Sequence, residues 1–290
     1  MRTIAHLSDL HFGRVRDEVL EPLVQAVAAL RPDLVAISGD LTMRARAREF
    51  AQARAFLEKL PRPQVVLPGN HDVPHRSPIE CLFNPLERYE QHISRDLGPY
   101  YEDAEIAVAG VNTARAFGYR GGRINAAQVS AALGRFRTAA PRATRIVVTH
   151  HPFDLPPRFS SRELVGRARM ALATFLEAGA DVFLAGHMHV TYCGHTAERW
   201  KIRDYAALVI QAGTATSTRE RNECNAFNCV RIHGDRIAVE PHAWDGAAFR
   251  PLREETFHRT SKGWRAYAAV QPPSMVSTDP VTNSASAEQR

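Results

Sequence analysis

Five short segments of this 290-residue chain end in side chains that bind divalent metals: Asp9-x-His11, Gly39-Asp40, Gly69-Asn70-His71-Asp72, Thr149-His150-His151 and Gly186-His187-x-His189. Asp, Asn and His supply oxygen and nitrogen donors without a thiolate. That set suits Mn, Fe, Co, Ni or Zn in a reactive site better than a structural zinc. Asp9 and His11 are two residues apart, so an extended chain would turn both to one side. The same alternation applies to His187 and His189, although a turn there would separate them. The glycines at 39, 69 and 186 let the backbone turn sharply and approach a small charged centre. Taken singly, each segment is weak, because an Asp-x-His is more often a capped turn and a His after a strand often only packs. Five of them together, each at the end of an apolar run, are not explained that way.

The elements that must position these residues follow from apolar patterning. Residues 3–7, 34–38, 64–67, 145–148 and 182–185 are short apolar runs that read as β-strands. The polar residues therefore fall at strand ends, where open α/β sheets bind ligands. Residues 17–30 carry Val19, Leu20, Leu23, Val24, Val27 and Leu30 at helical spacing, and residues 47–60 repeat the pattern with Phe50, Ala53, Phe56, Leu57 and Leu60. Proline closes both runs, so the first seventy residues read β-α-β-α-β. Residues 125–136 and 163–178 are expected to be further helices. After His189 the pattern changes to strands at 190–195, 207–211, 226–232 and 236–242, with Gly234-Asp235 as a hairpin turn. These late strands are expected to form a second sheet packed on the first. The fold class is α/β, a βαβ sandwich of two packed mixed sheets flanked by helices.

Composition is that of a globular chain able to fill one large core, with 44% hydrophobic and 23% charged residues. One domain over 1–270 is expected, with 271–290, rich in Ser, Thr, Pro and Asn, as a flexible tail. A formal charge of +6 favours anionic ligands. Nucleic acid is disfavoured, since the basic residues are scattered and no recognised nucleic-acid module is present. The densest cluster, Arg44, Arg46, Arg48 and Arg54, reads as a solvated helix face. No uninterrupted apolar run approaches bilayer length, and the first strand leaves no room for a signal peptide, so the cytoplasm is the expected location. Cys81, Cys193, Cys224 and Cys229 lack a Cys-x-x-Cys pair and read as free thiols, mostly buried.

In order and spacing, the five motifs resemble those of the calcineurin-like metallophosphoesterase superfamily over about residues 2–240. The resemblance implies two divalent metal ions. Asp9, His11 and His189 would hold the first, Asn70, His150 and His187 the second, and Asp40 would bridge them. It also implies His150 rather than His151 as the ligand, because Pro152 sets that register. His71 lies beside Asn70 and is not a ligand in the family pattern. It is the candidate to protonate the leaving group, with Asp72 orienting its ring. The Ser8-Asp-Leu-His start and Gly-Asn-His-Asp-Val-Pro are most similar to the bacterial class III branch of cyclic-nucleotide and glycerophosphodiester phosphodiesterases. A small phosphodiester is thus the expected substrate. A nucleotide-linked pyrophosphate hydrolase or a phosphomonoesterase would use the same metals with another pocket. A non-catalytic metal-binding scaffold is the reading from another class, disfavoured by the complete ligand set. Asn70, His71, Arg115, Arg219 and Arg221 are candidate substrate contacts. Residues 74–122 are a candidate cap carrying His75, Asn112 or Arg115 toward the site, and a homodimer is compatible with the sequence.

Overall fold

The computed structural model describes residues 1–75, 78–116, 121–156, 158–197, 199–200, 202, 205–219 and 223–267. The expected tail at 271–290 and the candidate contact Arg221 lie outside the described residues. The chain opens with β1 (Arg2–Leu7), α1 (Asp17–Ala29), β2 (Leu34–Ile37), α2 (Ala47–Leu57) and β3 (Gln64–Val66). β1, β2 and β3 pair in parallel, as the β-α-β-α-β reading requires. Then come α3 (Pro78–Phe83), α4 (Glu87–His92), β4 (Tyr100–Glu102), β5 (Ile106–Gly110), α5 (Ala126–Phe136), β6 (Thr144–Val148), α6 (Ala168–Glu177) and β7 (Val182–Ala185). Seven further strands follow: β8 (Tyr192–His195), β9 (Leu208–Gln211), β10 (Ala226–His233), β11 (Arg236–Trp244), β12 (Phe249–Pro251), β13 (Glu255–Thr260) and β14 (Gly263–Ala266).

The strands form two mixed sheets. One runs β14-β13-β11-β10-β1-β2-β3, with β12 paired to β11, and the other runs β4-β5-β6-β7-β9-β8. Period-two alternation assigns each side chain to a layer. Ile4, Leu34, Ala36 and Val65 point inward to meet Val108, Ile146, Val148, Leu184 and Ile210 of the other sheet. Their neighbours Ala5, Leu7, Val35 and Ile37 point outward into Leu23 and Val27 of α1 and Phe50 and Phe56 of α2. On the far side, Ala107, Val147 and Phe183 pack against Val129 and Phe136 of α5 and Leu172 and Phe175 of α6. Strands covered on both faces read as continuous apolar runs, which is why they were visible in the sequence. No helix among the described residues is long and apolar enough to cross a membrane.

Three expectations change. The late strands do not make a sheet of their own: β8 and β9 join β5-β6-β7, while β10 and β11 extend β1. Alternation fixes which face a residue takes but not which neighbour its backbone bonds to. The expected helix at 163–178 begins only at Ala168. Residues 161–163 make a single 3-10 turn, and Gly166 donates to the Gly122 carbonyl at 2.8 Å, so its backbone is spent on a neighbouring loop. Finally, the described part of 74–122 is built into the layers. α4 packs on α2, with the Tyr89 hydroxyl donating to the Val66 carbonyl at 2.9 Å, and β4 forms the edge of the second sheet. Asn112 is spent locally, its side chain accepting from Ala114 N at 2.8 Å and its carbonyl from Gln128 Nε2 at 2.6 Å.

Candidate metal centre

Strand ends deliver the five motifs to one place, and they do so through strained turns. Asp9, His11, Asp40, His187 and His189 all have left-handed φ, between 51° and 71°. Such a conformation costs a non-glycine residue roughly 1–2 kcal/mol, and it persists only where the surroundings over-determine it. This also corrects the reason given for the Asp9/His11 and His187/His189 spacing. The pairs converge through left-handed turns and not through extended alternation. Close backbone approach explains two glycines. A Cβ on Gly39 would stand 2.7 Å from His150 Nδ1, and one on Gly186 would run into the Ser8 hydroxyl.

Two sets of donor atoms result. In the first, His11 Nε2 and His189 Nε2 are 3.0 Å apart and Asp9 Oδ1 is 3.1 Å from His189 Nε2. In the second, Asn70 Oδ1 lies 3.1 Å from both His150 Nε2 and His187 Nδ1. Asp40 Oδ2 stands between the sets, 3.7 Å from His11 Nε2 and 3.4 Å from His150 Nε2, while its other oxygen accepts from His71 N at 2.8 Å. Donor atoms about 2.0–2.2 Å from a shared ion lie roughly 3–3.6 Å from one another, which is the spacing seen here. Asp9 Oδ1 is buried and makes no hydrogen bond of acceptable geometry despite its imidazole neighbour. The Nε2 atoms of His11 and His189, 3.0 Å apart, would both face an ion held between them. The residues present fit two divalent ions.

Surrounding groups fix the rings. The Ser38 carbonyl lies 2.8 Å from His150 Nδ1 and the Arg219 carbonyl 2.8 Å from His189 Nδ1, so each Nδ1 donates and, in the neutral ring, each Nε2 would offer its lone pair to an ion. His187 N donates to Asp9 Oδ2 at 2.9 Å, and Glu163 approaches the far side of the His187 ring at 3.5 Å. Thr214 and Thr216 hydroxyls donate to the carbonyls of Asp9 and Leu10 at 2.7 and 2.6 Å, bracing the first turn. Sequence reasoning missed these threonines, whose only signal was a polar run after a strand.

The electrostatics are those of carboxylates among imidazoles. Burial pushes Asp9 and Asp40 up, but the neighbouring histidines outweigh it and hold both below the usual carboxylate range. Burial pushes His150 down, yet Asp40 and Asp9 lift it to about 9, and His189 is raised in the same way. His11 and His187 are lowered by burial.

The candidate catalytic pair separates. His71 Nδ1 lies 2.9 Å from the Met43 carbonyl and Nε2 lies 2.9 Å from the Arg219 guanidinium, with the ring edge-on to His11. Asp72 does not orient that ring. One carboxylate oxygen accepts from Leu41 N and Gly69 N at 3.0 and 2.8 Å, and the other accepts from Thr42 N and its hydroxyl, both at 2.8 Å. Asp72 ties the Asp40 loop to the Asn70 loop, a need for four donors that the sequence does not display. Arg219 is at the site, as expected. His75 contacts the Asn70 carbonyl at 3.0 Å and so supports a ligand loop. His151, set aside in favour of His150, is brought against the second set, its ring 4.6 Å from that of His187 and its buried Nε2 without a partner.

This fold and this centre define a calcineurin-like phosphoesterase. The family model matches residues 2–191, and the chain belongs to that family. It is a metal-dependent phosphoester hydrolase with residues that could hold two divalent ions. A cAMP/cGMP dual specificity phosphodiesterase of Mycobacterium tuberculosis is 25% identical over 261 residues, 81% of this chain and 77% of the relative. Among solved structures, a purple acid phosphatase from yellow lupin superposes with a TM-score of 0.65 at 10% identity. That match covers 90% of this chain, which spans only 54% of the lupin protein. A dimetal phosphatase from Danio rerio gives a TM-score of 0.62 at 13% identity, with 89% of this chain and 99% of that one covered.

Proposed function

We propose that this protein hydrolyses a small phosphodiester at a dinuclear centre. Asp9, His11 and His189 hold one ion, Asn70, His150 and His187 hold the other, and Asp40 is shared. The observation that carries this reading is the position of Asp40 Oδ2 between His11 Nε2 and His150 Nε2, at 3.7 and 3.4 Å. When bound, two divalent ions supply Lewis acidity toward phosphate oxygens and make water nucleophilic near neutral pH.

The chain's own groups complete the chemistry. His71 has its Nδ1 proton fixed on the Met43 carbonyl, which leaves Nε2 to take up a proton from solvent once Arg219 withdraws from it. In the structure Nε2 accepts from Arg219. On substrate binding, Arg219 turns to a non-bridging phosphate oxygen, which the guanidinium suits. His71, carrying a proton at Nε2, then donates to the departing alkoxide, and the Met43 carbonyl supports the resulting ring. A diester carries one negative charge, which Arg219 and the ions match without a further clamp. The relative named as a cyclic-nucleotide phosphodiesterase makes cAMP and cGMP the first natural substrates to test.

The test is a comparison of metal-loaded protein on bis-nitrophenyl phosphate, nitrophenyl phosphate, cAMP and a nucleotide sugar. The diester is expected to have the higher kcat/KM, with a cyclic nucleotide also turned over. A clear preference for the monoester or the pyrophosphate sinks the diester reading and leaves the family intact.

A further inference from the structure

Away from the donor atoms, the loops leaving β5 and β6 carry three arginines. Arg115 follows β5, Arg123 precedes α5, and Arg167 sits at the start of α6. Adjacent parallel strands send such loops to the ligand-binding face of the sheet. Hydrogen bonds tie these two loops together. Arg123 N donates to the Thr113 carbonyl at 3.0 Å, Ile124 N to Gly166 at 3.1 Å and Gly166 N to Gly122 at 2.8 Å. The same loops grip the second half of the centre, because the Thr113 hydroxyl lies 2.9 Å from His151 Nδ1 and Gly122 packs against that ring.

No ion pair or hydrogen bond joins the side chains of Arg115, Arg123 or Arg167 to any described residue. Arg123 Nε is buried and has no partner at all. Burial and then the charges of Arg123 and Arg167 push the Arg115 guanidinium down, so Arg115 lies within the field of the other two. Like charges gathered on loops tied by their own backbone, with a desolvated donor left open, would be relieved by an anion joining them.

We propose that Arg115, Arg123 and Arg167 form an anion subsite beside the His150/His187 half of the centre, which binds a second phosphate of the substrate. The inference rests on the phosphodiester reading and narrows it. The preferred diester carries a phosphate on one arm, which a cyclic mononucleotide lacks.

A matched pair of probes tests it. The nitrophenyl ester of thymidine 5'-phosphate is a bare diester, and the same ester with a 3'-phosphate adds one anion. Metal-loaded wild type should favour the second by roughly ten- to a hundred-fold in kcat/KM, the range for a charge-assisted contact. Arg123→Gln and the exposed Arg167→Gln should each erase most of that preference while leaving the bare diester within about twofold. Equilibrium binding of thymidine 3',5'-bisphosphate against thymidine 5'-phosphate reads the same subsite without turnover, and should show the same preference and the same loss. Equal affinity of wild type for the two nucleotides overturns the subsite, as does a loss on both probes alike in the two variants. If neither diester is cleaved but nitrophenyl phosphate is, the phosphodiester reading has failed, and the binding ratio still decides the subsite.

Discussion

The two halves of the centre are built from different chemistry. The Asp9/His11/His189 half has a carboxylate of its own, with Oδ1 3.1 Å from His189 Nε2. The Asn70/His150/His187 half meets through a neutral amide oxygen, 3.1 Å from each imidazole, and borrows its negative charge from Asp40. Each half also has a histidine at its rim. His71 is bonded at both ring nitrogens, to Met43 and Arg219, whereas His151 Nε2 is buried and open. The difference teaches that equal numbers of donors do not make equal sites. A divalent ion is held most firmly where formal charge is local, and the neutral half depends on its neighbour.

The comparison breaks first at the shared residue. Asp40→Ala should empty both halves of metal and cost about three decades or more in kcat/KM, whereas His195→Ala on β8 should leave both nearly unchanged. Metal content by mass spectrometry beside turnover decides this, and an Asp40→Ala protein with full metal and full rate would remove the basis for a bridging carboxylate. The next effect separates the two rim histidines. His71→Ala should keep both ions yet lose about two to four decades on esters with poor leaving groups, and less on nitrophenyl esters, whose leaving group needs no proton. Equal losses on both ester types would turn His71 into a charge-stabilising group.

The smallest effect concerns protons and sharpens the contrast between the halves. Without metal, His150 is raised to about 9 and His189 is raised too, by Asp40 and Asp9 acting against burial. A raised imidazole stabilises the fold fully below its ordinary value near 6.5 and loses that contribution as pH climbs through the raised value. Metal-free protein should therefore melt at lower temperature at pH 9 than at pH 6.5. Ion binding needs the unprotonated rings, so metal affinity should move the opposite way and fall with falling pH. The half without its own carboxylate should release its ion first. Parallel slopes for the two forms, or simultaneous release, would contradict the unequal halves.

Much of this was legible in the chain. The apolar runs ending at Leu7, Ile37, Val66, Val148 and Ala185 are strands covered on both faces, so their hydrophobicity is unbroken and their polar ends stand out. Helices α1, α2 and α5 announced themselves by apolar spacing, because each buries a single stripe. α6 did not start where its pattern did, since Gly166 gives its backbone to the Gly122 loop. β12, β13 and β14 were not foreseen at all, although Trp264 on β14 is fully buried between the sheets.

By itself, then, the sequence determined the donor residues, their order and the strand ends that carry them, because those depend on residue type and local periodicity. Only the tertiary structure decided which strands share a sheet, since backbone hydrogen bonds are blind to side-chain alternation. It also decided the roles that depend on who stands opposite. Asp72 holds four loop donors rather than the His71 ring, and Thr214 and Thr216 brace the Asp9 turn. Partners of this kind are set by contacts between segments far apart in sequence, and no local pattern encodes them.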